Sequence, residues 1–225
     1  MSSLTPEARP LLRVVILLSG TGTNFSAIAA AAAAGTSPIE IKLVVSDKPD
    51  APGLERARKL NIPTCSFAMA DFPNRAAHDQ AMADAIDTVA PQLVILAGYM
   101  RILDSAFIAH YQGRLLNIHP ALLPEFKGLN THQRALDARA QWHGCTVHFV
   151  CDELDAGARI AQSRLKISEN DSAHSLAQRV HQLEHIIYPL VIAWYASGRL
   201  FEIDGVAYLD GQALKTPILI GDTNA

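Results

Sequence analysis

Three features of the sequence predict an α/β fold built on a doubly wound, mostly parallel sheet. Apolar, β-branched runs recur at Val14-Val15-Ile16-Leu17-Leu18, Ile39 to Val45 and Leu93-Val94-Ile95-Leu96-Ala97, and continuous runs of this kind suit strands covered on both faces. Helical patterns separate them, so each strand is followed by a crossover of the length and handedness that parallel pairing requires. A loop with two glycines, Ser19-Gly20-Thr21-Gly22-Thr23-Asn24, lies directly between the first strand and the first helix.

Residues 1–12 carry Pro6, Glu7 and Pro10 without periodicity and read as a loose leader, with residues 13–225 forming one domain. The apolar stretch from Leu11 to Ala34 is not a signal peptide in this reading, because Arg13 and the glycine loop break it. After the loop, a helix runs from about Asn24 through the alanines to Gly35, a residue suited to a C-terminal stop. Gly53 to Leu60 is a short basic helix, Pro63 to Phe67 a third strand, and Arg75 to Val89 a helix before the Leu93 strand. Leu115-Leu116-Asn117-Ile118-His119 is the next short strand, and Pro120, which lacks a ladder donor, ends it at the histidine. Pro124 and Gly128 mark a long irregular loop leading to a helix near Thr131 to Arg139, and long loops in compact domains are usually functional. Thr146 to Val150 and Ile160 to Ile167 read as further strands. Asp171 or Ser172 then caps a long helix ending before Gly198, and Asp210-Gly211 marks a hairpin between Tyr208 and Leu214, giving an antiparallel C-terminal extension.

The composition narrows the function. The 225 residues, 49% of them hydrophobic, can fill a sizeable core. A net charge of -3 without a basic block gives no footprint for a nucleic-acid backbone or an anionic membrane, so neither is an expected partner. Three cysteines without a Cys-x-x-Cys pair signal neither a disulfide framework nor a thiolate metal site, and fit a reducing cytoplasm. Monomer and homodimer both stay open.

Two stretches carry chemistry. Side chains alternate along a strand, so Asn117 and His119 share one face while Ile118 points to the other. In a parallel sheet that face lies at a carboxyl end, where open α/β sheets hold ligands. The glycine loop offers free backbone amides at a helix N-terminus, a cradle for a phosphate. It is only part of a dinucleotide fingerprint, because Phe25 stands where a third glycine would allow close helix packing, and no Walker lysine follows.

With these residues assembled, the chain resembles the glycinamide ribonucleotide formyltransferases, folate-dependent enzymes of purine biosynthesis in the formyltransferase superfamily. The resemblance runs from Arg13 to Leu214 and rests on Gly22-Thr23-Asn24, Gly53-Leu54-Glu55-Arg56-Ala57, Leu96 to Leu103, and Leu116-Asn117-Ile118-His119-Pro120-Ala121-Leu122-Leu123-Pro124. It continues through Gly128 to His132, Val147 to Val150, Asp152 to Gly157, and Glu184-His185 with Tyr188-Pro189-Leu190. It implies a Rossmann-like formyltransferase fold and attack by the primary amine of glycinamide ribonucleotide on the formyl carbon of 10-formyltetrahydrofolate, a cosubstrate, with no metal. A tetrahedral intermediate of this kind needs oxyanion donors and a proton shuttle. The resemblance implies His119 as proton donor, Asn117 holding the formyl oxygen, and Asp155 orienting the histidine. It further implies that Gly22, Thr23 and Asn24 cradle the ribonucleotide phosphate and that Glu184 holds the substrate's amino end. Arg75 and Met100, Arg101, Ile102 and Leu103 fall on folate-binding positions, with backbone pairing to the pterin.

Thr23, Ala121, Cys151 and His181 depart from the residues common at their positions and bear on affinity more than on reaction type. Within the superfamily the alternative is a formyltetrahydrofolate hydrolase, which typically carries an N-terminal regulatory domain that this chain has no room for. A methionyl-tRNA formyltransferase would need an added C-terminal domain and a basic surface. From another class, a nucleotide-binding dehydrogenase would use Gly20, Gly22 and Asp47. A zinc site from His132, His143 and His148 matches no standard spacing.

Overall fold

The computed structural model describes residues 10–223. Its centre is an eight-stranded sheet in the order β11-β7-β6-β5-β4-β1-β2-β3. In chain order β1 is Leu12–Leu18, β2 Ile39–Ser46, β3 Thr64–Ser66, β4 Leu93–Leu96, β5 Leu115–His119, β6 Trp142–Phe149, β7 Arg159–Lys166 and β11 Ile218–Thr223. Neighbours from β3 to β5 are parallel, β6 is antiparallel to both β5 and β7, and β11 is parallel to β7. Residues 1–9 of the expected leader lie outside the described residues, and Leu12 already pairs with Ile39 at the start of β1.

The apolar runs are buried on both faces because each alternate residue enters a different core. From β1, Val14, Ile16 and Leu18 pack with Phe25 and Ile28 of α1 (Thr23–Ala33), Leu54 and Ala57 of α2 (Pro52–Lys59), and the apolar side of α6 (Ala173–Ala196). Val15 and Leu17 pack on the other face with Met82 and Ile86 of α3 (Arg75–Asp87) and Phe107 of α4 (Ser105–His110). A strand sandwiched between two helical layers has no polar face to expose, hence the unbroken hydrophobic signature. The long helix α6 starts at Ser172, whose hydroxyl accepts from the Ser175 amide while the Ser175 hydroxyl accepts from the Ser172 amide, a reciprocal cap. Tyr188 in its middle is fully buried, its hydroxyl 2.9 Å from the Leu96 carbonyl and 3.1 Å from that of Leu116, which locks α6 over the ends of β4 and β5.

Two elements go beyond what the sequence pattern suggested. The C-terminal extension is a three-stranded antiparallel sheet, β10-β9-β8, with β8 Leu200–Ile203, β9 Val206–Leu209 and β10 Gln212–Ala213. Asp204-Gly205 and Asp210-Gly211 both adopt positive φ at the two turn positions, so the extension has two Asp-Gly turns where the sequence reading used one. Strand β11 joins the edge of the main sheet beside β7, a non-local pairing that a short run after Pro217 does not announce.

The winding reverses between β1 and β4, leaving a crevice at their carboxyl ends. The glycine loop after β1 and the Gly98 to Leu103 segment after β4 meet there. The Ser19 amide donates to the Gly98 carbonyl at 3.0 Å and the Met100 amide to the Ser19 hydroxyl at 2.9 Å.

Candidate active site

Strand β5 ends in the same crevice. His119 is 5% exposed, and Asn117 beside it is partly open. The loop after β6 returns Asp155 to the histidine, with Asp155 Oδ2 3.3 Å from His119 Nδ1 and a side chain only 8% exposed. That return needs Gly157, because a Cβ there would meet the Phe149 carbonyl oxygen at 1.9 Å. Asp155 itself adopts a left-handed φ of 50°, a conformation that Asp tolerates better than most residues, and the Gly128 amide donates to its Oδ2 at 2.9 Å. His119 Nε2 donates to the Phe126 carbonyl at 2.9 Å, so both ring nitrogens face an acceptor. Phe126 has a φ of 53°, an uncommon conformation for a bulky side chain that aims its carbonyl at the imidazole.

Antiparallel pairing sets His148 of β6 directly across from Asn117. His148 Nδ1 donates to its neighbour's carbonyl, Phe149 O, at 2.8 Å, which leaves Nε2 as an acceptor for Asn117 Nδ2 at 3.2 Å. Burial pushes the His148 pKa down, outweighing the hydrogen bond to Phe149 and the charge of Asp155, so the neutral ring is the favoured form. One amide hydrogen of Asn117 is spent on this bond and the second is left for the crevice. The opposite register pair, His119 with Thr146, anchors the turn after the histidine. Thr146 Oγ1 donates to the Ala121 carbonyl at 2.7 Å and accepts from the Leu123 amide at 3.0 Å. Ala121 is wholly buried there, so the methyl group at that departure has no unmet polar demand.

On the other side of the crevice, Gly22 is the N-cap of α1 with φ 73°, and no side chain caps the helix, leaving its first amides for an anion. A Cβ at Gly22 would lie 2.8 Å from Gly53 Cα, so the loop packs directly on the start of α2. Asn24, 8% exposed, donates from Nδ2 to Glu184 Oε2 at 2.8 Å, while its own Oδ1 is buried without a partner among the described residues. Glu184 is 3% exposed within the apolar stripe of α6, and burial lifts its pKa to about 7 against the opposing bond from Asn24. The helical spacing Leu176, Val180, Leu183, Ile187, Val191 places position 184 beside the buried face.

The structure thus brings Asn117, His119 and Asp155 together, and joins Asn24 to Glu184. Met100 and Ile102 project into solvent at 63% and 59% exposure beside the glycine loop, with Leu103 buried and Arg101 between them. Arg75 stands exposed in the first turn of α3, with no hydrogen bond or ion pair among the described residues tying it to the others. Sequence reasoning missed His148, Ser19 and the backbone groups of Phe126 and Gly128. Only His148 left a signal, since it shares a strand face with Thr146. His132 and His143 do meet, Nδ1 to Nε2 at 3.1 Å, but His148 lies apart from them beside Asn117. Among the described residues no group of three or more His, Cys, Asp or Glu could hold a metal ion, and no helix is long and apolar enough to cross a membrane.

An open α/β sheet with an imidazole, a carboxamide and a carboxylate at its carboxyl edge, beside a helix N-terminus without a side-chain cap, is an arrangement suited to an enzyme of group transfer at a carbonyl centre. The chain belongs to the formyl transferase family, whose sequence model matches residues 12–192. The phosphoribosylglycinamide formyltransferase of Escherichia coli strain K12 is 47% identical over 203 residues, covering 90% of this chain and 96% of the relative. Among solved structures, the phosphoribosylglycinamide formyltransferase of Coxiella burnetii superposes with a TM-score of 0.90 at 46% identity, covering 94% of this chain and all of that one. Glycinamide ribonucleotide transformylase 1 of Symbiobacterium toebii gives 0.88 at 37%, over 93% and 99% of the two chains.

Proposed function

We propose that the enzyme transfers the formyl group of 10-formyltetrahydrofolate to the primary amine of glycinamide ribonucleotide, in the cytoplasm, with residues 13–225 acting as one catalytic domain. The observation that carries this reading is the 3.3 Å approach of Asp155 to His119 on one side of Asn117, opposite a glycine loop shaped for phosphate. The ribonucleotide phosphate rests on Gly22, Thr23 and Asn24, and the free oxygen of Glu184 accepts from the substrate's amino end. The pterin pairs with the backbone from Met100 to Leu103, and Arg75 offers its cation to the acidic tail of the folate.

The amine attacks the formyl carbon and a C–N bond forms, placing negative charge on the former carbonyl oxygen. The second amide hydrogen of Asn117 and the N–H of His119, released from Phe126 as substrate enters, donate to that oxygen. The amine proton is relayed to the departing N10 of the folate as its C–N bond breaks, with His119 shuttling it and Asp155 holding the ring. Products are the formylated ribonucleotide and tetrahydrofolate.

The test is a formyl-transfer assay with both substrates, monitoring tetrahydrofolate formation with and without ribonucleotide. Turnover that depends on the ribonucleotide is expected. Equal turnover without it would instead make water the acceptor and favour the hydrolase.

A further inference from the structure

Asp79 and His78 form a buried polar pair on α3 that the chemistry above does not use. Asp79 is 2% exposed and His78 fully buried, with Asp79 Oδ1 2.6 Å from His78 Nδ1. The second carboxylate oxygen accepts from the Asp104 amide at 2.8 Å, and His78 Nε2 donates to the Phe67 carbonyl at 2.9 Å. Asp104 in turn caps α4, its Oδ1 accepting from the Phe107 amide at 2.8 Å. A carboxylate with 2% exposure on a helix that supplies Met82 and Ile86 to the core is costly, and a well-packed apolar residue would serve stability as well or better. The pair therefore calls for a geometric explanation.

The segment it reaches supplies one. From Gly98 to Asp104 the backbone is neither strand nor helix. It is pinned at its start, where Ser19 Oγ accepts from Met100, and at its end, where Asp79 accepts from Asp104. Between these pins the amides and carbonyls of Arg101 and Ile102 make no hydrogen bond among the described residues. Irregular backbone held at two points, with free polar groups between, is suited to pair with a ligand edge only if both pins hold. We infer that Asp79, braced by His78, is a positioning residue that sets the donor-binding backbone from Met100 to Leu103 through the Asp104 amide. This rests on the reading of that backbone as the folate site.

Asp79→Leu keeps the branched shape, with methyl groups in place of the carboxylate oxygens, and removes both acceptors. It is expected to raise the KM for the formyl donor about tenfold while leaving kcat and the ribonucleotide KM within about twofold, the pattern of a lost binding interaction rather than lost chemistry. Hydrogen exchange at residues 100–104 should speed up, with β1 and β4 unchanged. Asp79→Asn keeps an oxygen for Asp104 and offers an amide hydrogen to His78 Nδ1, so it should restore the donor KM. If Asp79→Leu does not fold, His78→Phe, which removes the brace but keeps a ring against Phe72, should raise the donor KM about threefold. An unchanged donor KM in the variant that folds overturns the inference, as does a parallel rise in both KM values. Should the unaltered enzyme accept no folate donor, the functional reading fails instead; the exchange measurement still judges the pin, and unchanged exchange at 100–104 rejects it.

Discussion

The two sides of the crevice are built on opposite terms. Around His119 the side chains are held in place by the protein: Nδ1 faces Asp155, Nε2 holds Phe126, Asp155 takes the Gly128 amide, and His148 fixes Asn117, whose second amide hydrogen stays open to the crevice. Around Asn24 the polar groups are left wanting: among the described residues the buried Asn24 oxygen has no partner and the buried Glu184 carboxyl is supported by one hydrogen bond. Groups that must be aimed before a reaction begins are held by the protein, since reorganisation during the reaction would cost rate. Groups that wait for a ligand carry an unmet demand that the ligand fills. The comparison predicts that damage on the first side falls on turnover and damage on the second on substrate binding and stability.

The largest effect is expected on the first side. His119→Ala removes the proposed proton shuttle, and kcat should fall by about a hundred- to ten-thousand-fold, the range for general acid–base catalysts, with both KM values changed little. Asp155→Asn should follow the same pattern more weakly. Steady-state kinetics in which KM rather than kcat absorbs the loss would erase the distinction between the two sides.

Much of this contrast was legible in the sequence, but unevenly. Strand parity put Asn117 and His119 on one face and Pro120 fixed where that strand stops, because both rules are local. The glycine loop was legible for the same reason, lying between a strand and a helix adjacent in the chain. Asp155 joined the site only through resemblance, since no local rule brings a turn residue back across an antiparallel pair to β5. The buried state of Glu184 could have been read from the period of α6. The pins at Ser19 and Asp79 could not, because each joins segments 81 or 25 residues apart through one hydrogen bond to an irregular backbone.

On the second side, Gly22→Ala should show next. A Cβ would lie 2.8 Å from Gly53 Cα, and the left-handed backbone costs a non-glycine residue about 1–2 kcal/mol even without the clash. Chemical denaturation should register a loss of at least that size, and the ribonucleotide KM should rise as the loop shifts. Glu184→Gln separates binding from stability. Burial lifts the Glu184 carboxyl to about 7, so the folded state holds a proton that the unfolded chain releases above about 4.5. Its ionisation therefore weakens the fold as pH rises through the window from about 4.5 to about 7. The glutamine cannot ionise, so the variant should gain thermal stability over the parent at pH 8 and lose most of that gain at pH 5, while binding ribonucleotide more weakly. A variant less stable than the parent at pH 8 would show that Glu184 is satisfied without ligand, and the contrast would collapse.

The smallest effect concerns the loop that covers His119. His132 of α5 (Thr131–Asp137) and His143 of β6 meet at 3.1 Å, and burial pushes each down to about 4, helped by mutual repulsion at His143 and by His181 and His119 at His132. Their contact needs one ring to donate and the other to accept, so it is lost when both rings carry a proton on the facing nitrogens, while His143 Nδ1 is buried without a partner among the described residues. With folded pKa values below the unfolded value of about 6.5, the unfolded chain binds more protons between about 4 and 6.5. The stability from this pair is complete above about 6.5 and is lost as pH falls towards 4. Hydrogen exchange in α5 should therefore accelerate from pH 7.5 to pH 5 more than exchange in α1, once corrected for the intrinsic rate, and His132→Gln should reduce that difference. Equal acceleration in both helices would mean that the loop over the histidine is held by Thr131, whose hydroxyl donates to the Pro120 carbonyl at 2.7 Å, and by Arg134, and not by the imidazole pair.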